Sequence, residues 1–350
     1  MLDNMKGLLA YSGLATKVRA MQGQLLTEED FQSIVRCPDV PAAAAWLRQQ
    51  PAYEAVFRDL DTATIHRGQL EPHLRESVYR DFAKIYRFAD SSQRKFLDLF
   101  MMRFETAWLK ECLKNILSMQ EERPDPEPLV RHLSHASRLP FRELAQASTL
   151  QELAGLLVRT CYHAPVSRVM TAENPALFDF EIALDLCHFS TVWKERRSVV
   201  GRADLPKVTE FCGTAFDMLN LQWIRRCKKY YNLKPAEIYA LLIPVEYHLR
   251  SEELSALAEA PSAEAADILI EKTWYGRHYP DLDGEKLEAE YHRILKRILT
   301  HAAAESPYSI SAVYAYLYRK EHEAEKLVVA LECVRYQLPP EEAMLHISSR

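Results

Sequence analysis

Asp39-Val-Pro-Ala-Ala-Ala-Ala-Trp-Leu47 is followed at once by Pro51-Ala-Tyr53, and the pattern returns twice in the chain. It reappears as Thr149-Leu-Gln-Glu-Leu-Ala-Gly-Leu-Leu157 before Thr160-Cys-Tyr162, and as Ser262-Ala-Glu-Ala-Ala-Asp-Ile-Leu-Ile270 before Thr273-Trp-Tyr275. Each copy opens on a residue whose side chain can accept from the free N–H groups of a helix start. Each then sets small or apolar residues one, four, seven and eight positions later, on one helix face.

A second landmark follows each tyrosine: an acid, then leucine four residues on. The three copies are Glu105-Thr-Ala-Trp108-Leu109, Asp217-Met-Leu-Asn220-Leu221 and Glu323-Ala-Glu-Lys326-Leu327. The leucines lie 56, 59 and 52 residues after their tyrosines, and successive tyrosines are 109 and 113 apart. Two landmarks recurring three times in the same order predict three related units of about 110 residues. Their expected limits are 1–125, 126–238 and 239–350. The first boundary falls at the Pro124-Asp-Pro126-Glu-Pro128 linker and the second after Asn232-Leu-Lys-Pro235. The lead-in Leu26-Thr-Glu-Glu-Asp-Phe31 is repeated as Leu249-Arg-Ser-Glu-Glu-Leu254, and in degenerate form as Leu139-Pro-Phe-Arg-Glu-Leu144.

Working outward, the rest of the chain reads as helix. Apolar residues at three- and four-residue spacing run through 67–88, 93–117, 207–231, 284–301 and 310–335. No stretch alternates long enough to predict a strand, so the expected fold class is all-α. Nine glycines in 350 residues leave few positions for tight hairpins or phosphate-cradling loops. Net charge is −5 with both signs interspersed, unlike the basic footprint of a nucleic-acid binder. The seven cysteines are an odd number without close pairs, which is no disulfide framework and suits a reducing compartment. Residues 1–6 carry no long apolar run, and no window approaches 18 apolar residues. Neither a signal peptide nor a membrane span is expected.

Enzyme motifs are missing. The chain has no G-x-x-x-x-G-K-[ST], G-x-G-x-x-G or G-x-S-x-G, and no C-x-x-C or H-E-x-x-H. His132 and His135, three apart, read as solvated residues near a helix end. Asp185 and His188 share that spacing but lack the second half that a di-metal bundle site needs. No catalytic, cofactor-binding or metal-binding residue is expected.

The landmarks, together with Tyr11-Ser-Gly-Leu-Ala-Thr-Lys-Val-Arg19, Leu233-Lys-Pro-Ala-Glu-Ile238 and Ile243-Pro-Val-Glu-Tyr-His-Leu-Arg250, resemble the C/d family of rotary ATPases. Its members are the C subunits of prokaryotic V/A-type ATPases and ATP synthases and the d subunits of vacuolar ATPases. The resemblance runs from about Tyr11 to Ile347. The chain departs from it at Trp108, where relatives often carry asparagine, and at Val245 and Glu246, where they often carry glycine. The resemblance implies a funnel of three helical units about a pseudo-threefold axis. It implies a non-catalytic, peripheral position on the cytoplasmic face of the membrane, as the central-stalk socket that couples the D/F-type rotor shaft to the membrane proteolipid ring for ion transport. Neither nucleic acid nor direct nucleotide binding is expected. The other reading of three helical repeats is a scaffold or regulatory adaptor with unrelated partners.

Eight residues are candidates for partner contact: Glu105, Trp108, Asp217, Asn220, Glu323, Lys326, Arg225 and Arg226. The three acids, with Trp108, Asn220 and Lys326, either line or shape the axial cavity, or make polar contacts between helices. The basic run Arg225, Arg226, Lys228, Lys229 either meets acidic shaft residues or forms a solvated helix end. Lys17 and Arg19 face lipid headgroups or ring loops, or water.

Overall fold

A computed structural model describes residues 2–348 except 64, 66, 120, 121 and 232, and the side chains of 2–10 and 67 are not described. Asn232, which marks the second expected boundary, therefore lies outside the described residues. Among those residues every regular element is helical. The chain divides into two compact units: a terminal unit, Met1–Asp90 with Leu299–Arg350, and a middle unit, Ser91–Ile298.

The terminal unit begins with α1 (Leu2–Gln22), α2 (Glu28–Val35), α3 (Val40–Arg48), α4 (Glu54–Phe57) and α5 (Arg67–Phe88). The middle unit carries α6 (Ser91–Leu117), α7 (Glu127–Leu133), α8 (Phe141–Gln146), α9 (Leu150–Leu156), α10 (His163–Met170) and α11 (Leu177–Val199). It continues with α12 (Leu205–Arg226), which ends in a π-helical turn, Cys227–Tyr231, then α13 (Pro235–Leu241), α14 (Ser251–Glu259), α15 (Ala263–Lys272) and α16 (Trp274–His278). After α17 (Leu287–Glu305) the chain closes with α18 (Ile310–Arg335) and α19 (Pro340–Ser348).

The capped segments fold as their sequence predicts. Asp39, Thr149 and Ser262 are the N-caps of α3, α9 and α15, accepting from the N–H of Ala42, Glu152 and Ala265. One orphan donor of each helix start is thereby satisfied, a contribution of about 1 kcal/mol apiece. The apolar stripe points inward at the same offsets: Val40, Ala43 and Leu47 are buried in α3, Leu153 and Leu157 at the second copy, and Ala263, Ala266 and Ile270 in α15. Thr27 closes a full capping box with Asp30 at the start of α2.

The five stretches of predicted periodicity become α5, α6, α12 with its π turn, α17 and α18. α11 is not among them. Its inner face mixes Phe180 and Leu184 with His188 and Arg196, so hydropathy alone shows no clean stripe. α6 packs along α11 in the middle unit, and α18 along α5 in the terminal unit. Both pairings are pinned by polar contacts: Lys110 Nζ donates to Asp185 at 2.7 Å, and Tyr316 Oη donates to Asp81 Oδ2 at 2.6 Å.

Gly213 on α12 marks a close approach, because a Cβ there would collide with the ring of Tyr247. Val245, where relatives often have glycine, is buried and needs no left-handed backbone.

Candidate functional site: three tyrosine–carboxylate nodes

The repeated tyrosines are among the most buried side chains of the protein: Tyr53, Tyr162 and Tyr275 are each at most 1 % exposed. A phenol at that depth must find an acceptor, because an unmatched hydroxyl costs about 1–3 kcal/mol. Each one finds a repeated acid. Tyr162 Oη donates to Glu105 Oε2 at 2.8 Å, Tyr275 Oη to Asp217 Oδ2 at 2.9 Å, and Tyr53 Oη to Glu323 Oε1 at 2.6 Å. The acid is not the one that follows the tyrosine in the same repeat. Glu105 takes the tyrosine of the second repeat, Asp217 that of the third, and Glu323 that of the first, 270 residues back.

The same carboxylates also hold the lead-in segments. Glu323 Oε2 accepts from Leu26 N at 2.5 Å. Asp217 Oδ2 accepts from His248 N at 2.8 Å and Leu249 N at 3.1 Å. At the degenerate copy Ser137 relays the link: its hydroxyl donates to Glu105 Oε1 at 2.5 Å and accepts from Leu139 N at 3.0 Å. Leu26, Leu139 and Leu249, matched by sequence, are therefore matched by hydrogen bonding. One acid on a long helix ties down the start of the short-helix segment and its tyrosine at the far end.

The electrostatics of the three nodes differ. Lys320 is fully buried, donates to Glu323 Oε1 at 2.8 Å, and sits 3.8 Å from the centre of the Tyr53 ring. That site holds a compensated ion pair with a cation–π contact. The residues three before the other acids are Met102 and Thr214, so neither helix carries a cation at the equivalent position. Burial pushes the Glu105 carboxyl above its usual range, against the opposing effect of Ser137 and Tyr162. Burial pushes Asp217 up to about 7, against the hydrogen bonds from His248, Tyr275 and Leu249. Asp217 Oδ1 is buried without a hydrogen-bond partner among the described residues. The phenols of all three tyrosines are raised, first by burial and then by the neighbouring carboxylate.

The remaining candidates scatter. Asn220 is buried and pairs with the backbone of Ile243 in both directions, Nδ2 donating to the carbonyl at 3.1 Å and Oδ1 accepting from the N–H at 2.8 Å. Trp108, its sequence counterpart, is buried edge-on against Phe141 at 6.4 Å. Lys326 is half-buried. Arg225 is buried and donates to Asp267 Oδ1 at 2.9 Å, while Arg226 beside it is exposed. Lys228 caps the end of α14 through the carbonyls of Ala258 and Ala260, and Lys229 lies 3.9 Å from Glu285. Lys17 and Arg19 stand over the rings of Phe88 and Tyr308 at 5.5 and 5.0 Å. His132 lies in α7, whereas His135 follows its end and is exposed. Asp185 is taken by Lys110, and burial drives His188 down to about 3.

Sequence reasoning missed Lys320, Ser137 and the backbone donors at Leu26 and Leu249. Lys320 had a signal, since residues three apart share a helix face. Leu26 and Leu249 lie in the recurring lead-in, which marks the position but not the backbone N–H as a donor, and Ser137 had no signal. What the nodes offer chemically is anchorage: buried, hydrogen-bonded carboxylates that hold helical segments in register.

A family model described as "ATP synthase (C/AC39) subunit" matches residues 14–344. The chain is 26 % identical to the A-type ATP synthase C subunit of Thermococcus kodakarensis, over 95 % of this chain and 88 % of that protein. It is 22 % identical to the protein of the same name from a Desulfurococcus species, with the same coverage. A third such relative, from Methanothermobacter thermautotrophicus, is 24 % identical over 89 % of this chain and 81 % of its own length. No described helix is long and apolar enough to cross a membrane.

Proposed function

Because this chain belongs to the ATP synthase (C/AC39) subunit family, we propose that it is the non-catalytic socket of the central stalk in a rotary A/V-type ATPase, coupling a D/F-type shaft to the membrane proteolipid ring. It would sit peripherally on the cytoplasmic face of the membrane. The observation that carries this reading is the threefold tyrosine–carboxylate node within a chain matched over 14–344. A socket that transmits torque must resist relative motion of its helices, and each node clamps a long helix to both ends of a short-helix segment. The pairing order, each acid taking the next repeat's tyrosine and the last acid taking the first, supports three repeats of about 110 residues, 1–125, 126–238 and 239–350, closed about a pseudo-threefold axis.

In this reading Glu105, Asp217, Glu323, Asn220 and Trp108 shape the socket from within. Arg226 and Lys326, which keep solvent access, meet the partner. The test is a calorimetric titration of the purified chain with the shaft subunits of its own organism. Saturable one-to-one binding, weakened about tenfold or more by Arg226→Glu with Lys326→Glu, is expected for buried charge pairs at an interface. A folded chain that ignores an intact shaft would overturn the socket and favour a scaffold with other partners.

A further inference from the structure

Two of the seven cysteines meet in space although 26 residues separate them in sequence. Cys161 is exposed in the turn before α10, and Cys187 is half-buried on α11. The Sγ of Cys187 lies 3.4 Å from the carbonyl oxygen of Cys161. In that contact the Cys187 thiol donates and the Cys161 backbone carbonyl accepts, which sets the two residues side by side. Four others, Cys112, Cys212, Cys227 and Cys333, are buried.

We propose that Cys161 and Cys187 are a dithiol oxidation site, closed to an intramolecular disulfide by a low-molecular-weight disulfide of the glutathione type. The proposal does not rest on the socket reading, because it is argued from two residues that both lie within the middle unit.

The two thiols are unequal, as such chemistry requires. The neighbouring Cys161 holds the Cys187 thiol below its ordinary range, with Thr191 adding to the effect against burial. The neighbouring Cys187, then burial, pushes the Cys161 thiol up. Cys187 is therefore the attacking thiolate and Cys161 the resolving thiol. In the first exchange the Cys187 thiolate attacks one sulfur of oxidised glutathione and releases one glutathione thiolate. In the second, Cys161 loses its proton, attacks the Cys187 sulfur and expels the second glutathione. Two electrons and two protons leave with two glutathione thiols, and one S–S bond remains on the protein.

The bond would act on a defined element. Cys161 directly precedes Tyr162, whose hydroxyl is held by Glu105 of α6, and Cys187 sits on α11, which packs along α6. The disulfide fastens the tyrosine-bearing turn to α11, whereas the node fastens it to α6. It would brace that node without replacing it.

The test uses the full chain, equilibrated with oxidised and reduced glutathione at graded ratios, quenched by alkylation and mapped by peptide mass spectrometry. The expected product is a Cys161–Cys187 cross-link, with the four buried cysteines still reduced. The oxidised chain should melt higher by roughly 5 °C or more, as a loop of this length predicts for a middle unit of this size. C161S should stop the cross-link and trap glutathione on Cys187, whereas C187S should leave Cys161 reacting at least about tenfold more slowly. Separate glutathionylation of both cysteines without a cross-link overturns the proposal. So does equal reactivity of the two single variants, or a bond that forms only between chains. Folding of each variant is read from its thermal midpoint before oxidation.

Discussion

The node at Tyr53 and the node at Tyr275 do one mechanical job with opposite electrostatics. In the terminal unit Glu323 is buried beside Lys320, so the carboxylate has a full positive charge at 2.8 Å as well as the phenol and one backbone N–H. In the middle unit Asp217 has the phenol and two backbone N–H groups, and one oxygen without a partner among the described residues. One site is a salt bridge that tolerates no loss of either member. The other is a carboxyl whose charge is costly, and which holds its proton up to about pH 7. Recurrence of a sequence landmark thus preserves the tether while leaving the charge balance free to vary.

The comparison breaks most visibly at Glu323. Glu323→Ala leaves Lys320 buried without a counter-charge and should cost about 3–5 kcal/mol, read from denaturant unfolding of the terminal unit. Replacing both members, as Glu323→Gln with Lys320→Met, should recover most of that loss. If the single and double variants are equally unstable, the ion pair is not what holds the node.

Asp217 should answer to pH instead. Its carboxyl is raised in the folded chain, so the folded state holds a proton that the unfolded chain has released. Stability contributed by that proton is complete below about pH 4, the ordinary aspartate range, and falls as pH rises toward about 7. Buried His188, held down at about 3, adds a slope of opposite sign up to about pH 6.5. The decline is therefore read from thermal melts between pH 4.5 and 8 as the difference between wild type and Asp217→Asn, which should move against wild type as pH rises. Glu105, raised in the same direction, leaves a smaller residual slope. A difference between wild type and Asp217→Asn that does not change with pH, or that moves in favour of wild type as pH rises, would refute the assignment.

Tyr162→Phe lies between the two extremes. It leaves Glu105 with Ser137 as its donor in the node and should cost about 1–3 kcal/mol. Tyr53→Phe should cost less, because Lys320 and Leu26 N stay in place. Parallel chemical denaturation of the two variants decides the order. Smallest is Ser262→Ala, which removes the cap of α15 without touching a node. It should cost about 1 kcal/mol and raise amide exchange in the first turn of that helix alone.

Much of this was readable in the chain. The capping residues Asp39, Thr149 and Ser262, the apolar stripes behind them and the long helices carrying Glu105, Asp217 and Glu323 are local features, set by hydrogen-bonding reach and a period of 3.6 residues. The common depth of Tyr53, Tyr162 and Tyr275 is foreshadowed by their position after each stripe. α11 escaped because buried polar residues such as His188 and Arg196 blur its periodicity.

Sequence by itself therefore determined that this protein is helical, that two landmarks recur three times along it, and which tyrosines and acids carry them. Tertiary structure alone decided who pairs with whom: Glu105 with Tyr162, Asp217 with Tyr275, and Glu323 with Tyr53. A helix pattern records which face is buried, but a buried hydroxyl takes its partner from whatever helix packs against it. That neighbour is chosen by the packing of whole segments, at separations over which no periodicity in the chain extends.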